Sequence, residues 1–261
     1  MAIDFNKYIY SKTTHYISNC GQDERKQYHG GKAGDQTGKE YCLKAWYNRP
    51  WTVILRYPNP TVRMKIAMMA IEAALNNNIG YDQDDRLTFW KSLKAANYDI
   101  ENIKTPCEAD CTSSTSAIVK ATGYLLGIPG LERVPNNCTS RNMRQQFTAA
   151  GFIPLTNEQY LKSPNYLVPG DILLYESHHA AINVTLGKSV PNDDVQDKVI
   201  ITGKTVWVRT GPATTFDYIG IARKGETYDY LNEQSPNGSG WYKINYDGKE
   251  GWVSGKYSNI I

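Results

Sequence analysis

Between Lys188 and Lys198 the chain reads Lys-Ser-Val-Pro-Asn-Asp-Asp-Val-Gln-Asp-Lys, a polar stretch with a proline and no apolar period. Such a stretch has too little apolar surface to join a core, so it separates what lies on its two sides. Upstream, apolar residues recur at helical and then strand spacings. Downstream, short strand-like runs alternate with turns. The 261 residues suffice for two ordinary domains. The division expected is a domain over 1–190, a linker over 191–198 and a second domain over 199–261. Aromatic usage marks the same boundary, because Trp207, Tyr218, Trp241 and Trp252 belong to a tail dense in rings.

Four helices are expected upstream. The first follows Pro60, carries Met64, Ala67, Met68, Ile71, Ala74 and Leu75 on one stripe, and ends at Asn76-Asn77-Asn78 before Gly80. The second covers about Asp84 to Ala96. The third starts near Asp110 or Cys111 and stops at Gly127, with Pro129 just beyond. The fourth runs from Thr139 or Ser140 to Ala150, ahead of Gly151. The period then shortens. Pro169-Gly170-Asp171 signals a turn, Ile172 to Tyr175 a buried strand, and Ala180 to Leu186 a second strand led by His178-His179. Helices followed by antiparallel strands predict an α+β domain. In the tail, five short strands, with Asp247-Gly248 as a hairpin signal, predict a small all-β barrel.

Composition narrows the function. With 41% hydrophobic and 21% charged residues, the chain is globular rather than disordered. A net charge of +3 is too small for a dominant nucleic-acid role. The longest apolar stretch, Ala67 to Leu75, is broken by Glu72 and too short to span a membrane. Met1-Ala-Ile-Asp-Phe-Asn-Lys-Tyr8 has no basic segment ahead of an apolar core, so no secretory leader is expected. Five cysteines without export make a disulfide framework a poor reading. A zinc site from Cys107, Cys111, Cys138 and His178 is a weak signal, because Cys-x3-Cys lacks a second close pair. No metal and no cofactor is expected.

The sharpest local feature is Cys107-Glu-Ala-Asp-Cys-Thr-Ser-Ser114 at the opening of the third helix. A cysteine in a first helical turn meets unpaired N–H groups and the positive end of the dipole, both of which favour the thiolate. A hydrolytic cysteine also needs a base. The four histidines are His15, His29, His178 and His179, and the last two lead a strand about 70 residues downstream. Alternation along that strand sends His178 and His179 to opposite faces. Separately, the glycine-rich segment Gly30 to Gly38 is a loop that can approach a ligand closely. Asp35, Gln36, Thr37 and Glu40 give it hydrogen-bonding side chains suited to a peptide.

Asp110-Cys111-Thr112-Ser113 resembles the nucleophile motif of papain-like cell-wall peptidases of the NlpC and CHAP groups. Pro169-Gly170-Asp171-Ile-Leu-Leu-Tyr followed by His179-Ala-Ala-Ile resembles their strand and histidine signature. The resemblance implies Cys111 as nucleophile, His179 as base and Asp110 beside them at the substrate. The family's third residue usually follows the histidine by about a dozen positions, which points to Asn192, with Asn183 on the strand itself as the alternative. Thr14-His-Tyr-Ile-Ser-Asn19, Gly30 to Glu40 and Trp46-Tyr-Asn-Arg-Pro-Trp51 are similar to phage endolysins of gut Firmicutes. Trp207-Val-Arg-Thr-Gly-Pro212, Gly240-Trp-Tyr-Lys-Ile244 and Gly248 to Ser254 resemble bacterial SH3 domains.

Together these imply an α+β papain-like catalytic domain followed by a small all-β SH3-like barrel. The implied function is peptidoglycan hydrolysis at an amide of the stem peptide or cross-bridge. The implied location is a host cytoplasm, with access to the wall after holin-type release. The alternatives are a non-catalytic wall-binding protein, an amidase acting at the glycan-to-peptide bond, and a cytosolic cysteine peptidase.

Overall fold

The protein is described by a computed structural model covering residues 3–190, 198–234 and 240–260. It divides into two compact units, Met1–Val190 and Pro191–Ile261.

The first unit is built on a six-stranded antiparallel sheet. Its strands are β1 (Tyr16–Cys20), β2 (Tyr41–Ala45), β3 (Val53–Arg56), β6 (Ile153–Leu155), β7 (Ile172–Tyr175) and β8 (His179–Asn183), in the order β2-β1-β8-β7-β3-β6. A separate parallel pair joins β4 (Ile79–Tyr81) to β5 (Cys107–Ala109). The helices are α1 (Asn6–Ile9), α2 (Pro60–Ala74), α3 (Thr88–Ala95), α4 (Cys111–Leu126), α5 (Pro129–Glu132), α6 (Met143–Ala149) and α7 (Glu158–Leu161).

Helix α2 starts where Asn59 accepts from the Thr61 and Val62 amides, with Pro60 at the first turn. It is apolar nearly all round and buried on almost every side, with Ser18 of β1 donating to its Ala70 carbonyl at 2.8 Å. Helix α4 packs against both α2 and β8. It ends as expected at Gly127, which takes φ 64°. The helix expected over 139–150 is shorter and begins at Met143, and the one expected from Asp84 begins at Thr88. Cys107 lies on strand β5 and not on the helix, which opens at Cys111. Strands β1, β2 and β3 precede the first long helix, so the sheet draws on both ends of the unit rather than on the residues after the helices alone.

The Pro169-Gly170-Asp171 turn aims the Asp171 side chain inward. Asp171 is buried and takes a forked ion pair from Arg56, with Nε at 2.8 Å and Nη2 at 2.6 Å, while Oδ2 also accepts from the Val168 amide. Gly170 sits at φ 87°, where a Cβ would also collide with the Arg63 carbonyl. The turn thereby fixes the start of β7, and through the β7–β8 pairing (Tyr175 opposite His179) it places the strand that carries His179.

The second unit is all β. One seven-stranded sheet contains β9 (Lys198–Ile201), β10 (Thr205–Arg209), β11 (Tyr218–Arg223), β12 (Thr227–Gln234), β13 (Trp241–Tyr246), β14 (Lys249–Ser254) and β15 (Ser258–Ile260). Two of the strands, β9 and β15, were not among the five expected. They pair with each other and bring the two ends of the unit together. Val199, Ile201, Val206, Val208, Ala222, Ile244 and Val253 form its core. On β10 the alternation leaves Trp207 facing outward, with its ring 4.4 Å from that of Tyr218. Asp247 and Gly248 both take positive φ, as the two central residues of a tight hairpin must.

Candidate active site

The site is assembled at the start of α4. Asp110 is the helix N-cap and accepts from the Thr112 and Ser113 amides, while the Ser113 hydroxyl accepts from the Asp110 N–H in return. Arg86 holds the Asp110 carboxylate at 2.8 Å and donates to the Thr112 hydroxyl and the Cys138 carbonyl. A capped, braced first turn holds Cys111 as the first residue of the helix, buried to 9% exposure. The backbone of Ala180, next to His179 on β8, acts on the Cys111 sulfur in the direction that favours the thiolate.

His179 opens β8 and lines the same cleft, of about 480 Å³, as Cys111. Its Nε2 is 2.9 Å from Oδ1 of Asn19 on β1, which also accepts from the Tyr47 hydroxyl at 3.3 Å. An amide oxygen can only accept, so Nε2 carries the hydrogen and Nδ1 keeps a free lone pair. Trp51 is buried and stacks on the imidazole, with centroids 6.2 Å apart and planes 29° apart. It covers one face of the imidazole and so limits how the ring can turn.

Electrostatics make this a neutral pair. Burial, and then the adjacent Asp110 carboxylate, push the Cys111 thiol up to about 12, against the Ala180 backbone. Burial, and then Arg49 and Lys44, hold the His179 imidazole down to about 3. A helix N-terminus supplies up to ~2 kcal/mol, roughly 1.5 pKa units, whereas full burial shifts a group by up to ~3–5 units. Burial therefore wins over the thiolate that the helix start alone favours. Both shifts favour a neutral imidazole and a protonated thiol. The alkylation rate of Cys111 by iodoacetamide should accordingly climb through the alkaline range. A rate already constant from pH 5 upward, with the Cys111→Ala protein as blank, would reveal a preformed thiolate–imidazolium pair instead.

The side chain that meets the His179 imidazole is Asn19, which the sequence reading did not single out. Asn192 lies outside the described residues. Asn183 is turned elsewhere: its Oδ1 meets His15 Nε2 at 2.6 Å and its amide donates to the Val168 and Thr185 carbonyls. Asn19 ends the Thr14–Asn19 stretch, and β1 pairs directly with β8, so the partner is adjacent in the sheet though 160 residues away in sequence. His178 stays at the rim of the cleft, half stacked on Tyr175 at 4.0 Å. His29 is exposed and pairs with Asp84 at 2.9 Å.

The loop over Gly30 to Glu40 is organised from within. Asp35 is buried and accepts from the amides of Thr37, Gly38 and Lys39 through Oδ1 and of Glu40 and Tyr41 through Oδ2. Glu40 accepts from the Gln36 and Tyr81 amides, and Glu108 of β5 from Gly34. The Thr37 hydroxyl donates to Asp35, and the Gln36 amide to the Ala33 and Gly34 carbonyls. None of Asp35, Gln36, Thr37 and Glu40 lines the Cys111 cleft. Their polar groups hold backbone groups of the loop and the amide of Tyr81. Buried carboxylates crowd here. Burial, with Asp35 and Glu24 adding, raises Glu40 to about 7, and burial with Glu40, Asp82 and Asp85 raises Glu108 to about 8. Lys39 is the residue of this loop's far end that reaches the cleft.

Residues 17–190 match the endolysin-like domain family, and residues 204–259 match the bacterial SH3 domain family. No curated protein matches the chain. Among the described residues, no helix is long and apolar enough to cross a membrane.

Proposed function

The chain belongs to the endolysin-like domain family and carries a bacterial SH3 domain behind it, and on that premise of a peptidoglycan hydrolase with a wall-binding module we propose that it cuts an amide in the peptide part of the wall by cysteine nucleophilic catalysis. The carrying observation is one cleft that holds a thiol at a helix start and an imidazole whose Nε2 is fixed by an amide oxygen. In this reading the Cys111 sulfur attacks the substrate carbonyl and His179 Nδ1 takes the thiol proton. The tetrahedral oxyanion falls against the main-chain N–H at the first turn of α4. His179 then gives the proton to the leaving amine, and water releases the acyl group by the reverse sequence. The second unit keeps the enzyme on its insoluble substrate, which raises the local substrate concentration. Its outward Trp207 and Tyr218 rings are rigid surfaces of the kind used for recognition.

Mass spectrometry of digested walls tests this. Each cut should add one water across the two fragments, leaving a new carboxyl group on one and a new amine on the other. New reducing ends on the sugar would assign a glycosidase and overturn the reading.

A further inference from the structure

The cleft around Cys111 is lined by Lys39, Lys44 and Arg49 and by no aspartate or glutamate among the described residues. The three cations come from separate places. Lys39 ends the carboxylate-organised loop, Lys44 is on β2 opposite Ile17 of β1, and Arg49 lies between β2 and β3. Among the described residues none of them makes an ion pair. Lys44 lies over the Tyr47 ring at 5.6 Å, while Arg49 lies over the Tyr175 ring at 5.9 Å and donates to the Tyr47 hydroxyl. Ring faces and a neutral hydroxyl orient a cation without neutralising it. The carboxylate next to the nucleophile, Asp110, is already held by Arg86 and two backbone amides. Three uncompensated positive charges thus converge beside a base that must stay neutral to work, and both Lys44 and Arg49 act on His179.

We propose that Lys44 and Arg49, with Lys39, form a carboxylate-binding subsite that makes the enzyme selective for stem peptides carrying a free carboxylate near the scissile amide. This rests on the hydrolase reading above and deepens it. A planar guanidinium matches a carboxylate in a forked geometry, and a lysine on each side adds point charge. An amidated substrate of the same shape leaves the cations unpaired and loses the charge-assisted bonds. A stem peptide has two places for that carboxylate: the α-carboxyl of its γ-linked glutamate, which exists free or amidated, and its C-terminal carboxyl.

The test uses the full-length protein and three soluble muropeptides: one with both carboxyls free, one amidated at the glutamate, and one amidated at the C-terminus. Wild type should show kcat/KM about tenfold or more higher for the free peptide than for one of the amides, a tenfold step being ~1.4 kcal/mol. Which amide is penalised identifies the carboxyl that is read. In the Lys44→Gln, Arg49→Gln double variant the preference should shrink toward unity. Both side chains lie at the surface of the cleft, so a matching far-ultraviolet spectrum and wall binding will show that the variant is folded. Equal cleavage of all three peptides by wild type, or an undiminished preference in the double variant, overturns the subsite and leaves the hydrolase reading standing. Cleavage of none of them by a protein that still cuts walls at an amide overturns the subsite alone, and failure to cut the walls as well overturns both.

Discussion

Replacing Cys111 by alanine should abolish wall lysis, lowering the rate by at least roughly 10³–10⁴-fold, while the protein still folds and still sediments with walls. The magnitude follows from removing the nucleophile of a covalent mechanism, where only positioning and oxyanion contacts remain. Folding should survive because the cap belongs to Asp110 and Ser113, not to the thiol. Wall binding should survive because residues 204–259 match a module separate from the catalytic unit. Lysis at the wild-type rate by Cys111→Ala would sink the mechanism. Cys107→Ala provides the contrast. Cys107 is on β5, its sulfur donates to the Asn78 carbonyl, and it does not line the cleft. That substitution should leave kcat near the wild-type value.

The second large effect is expected at Asn19. Asn19→Ala should lower kcat roughly 10²-fold, less than the ~10⁴ that a charged orienting group is worth in a serine triad. The loss arises because His179 can then flip or change tautomer and no longer presents a bare Nδ1. Asn19→Asp separates orientation from mere packing. A carboxylate against Nε2 stabilises the imidazolium and raises the His179 pKa, and the base is needed in its neutral form. The acid limb of kcat/KM should therefore move to higher pH in Asn19→Asp, an effect that a purely structural residue would not produce. Asn183→Ala is the control. It removes the side-chain donor to the Val168 and Thr185 carbonyls and the partner of His15 Nε2, so it should cost stability without moving that limb. Wild-type kcat in Asn19→Ala would return the search for the third residue to the segment after β8.

The parts of this architecture that could be read from sequence share a local cause. The stripe from Met64 to Leu75, the capping pattern at Asp110 to Ser113 and the Asp247-Gly248 turn are each written within a few residues, and α2, α4 and the β13–β14 hairpin follow them closely. The C-terminal unit was legible as all-β for the same reason. What escaped was set by pairing at a distance. Strands β1, β2 and β3 are short, and their burial comes from β8, β7 and α2, not from any period of their own. Asn19 inherits its role from that pairing. The loop from Gly30 to Glu40 misled in another way. Asp35 and Glu40 look like ligand-facing acids in a sequence, because nothing local says that seven backbone amides will converge on them.

The strand order β2-β1-β8-β7-β3-β6 also has a meaning in time. The strand made last in the first unit is not at an edge; it slots between the two earliest ones and the rest of the sheet. Until it does so, the β1–β2 pair is unattached on that side, Asn19 faces no imidazole, and on the proposed mechanism Cys111 lacks its base. On the proposed mechanism, a ribosome-bound chain that has exposed Cys111 but not yet His179 is therefore expected to be inert. Closing contacts across 160 residues is slow compared with forming α2 or α4 locally. On the proposed mechanism, the same step that completes the sheet also brings the base to the nucleophile.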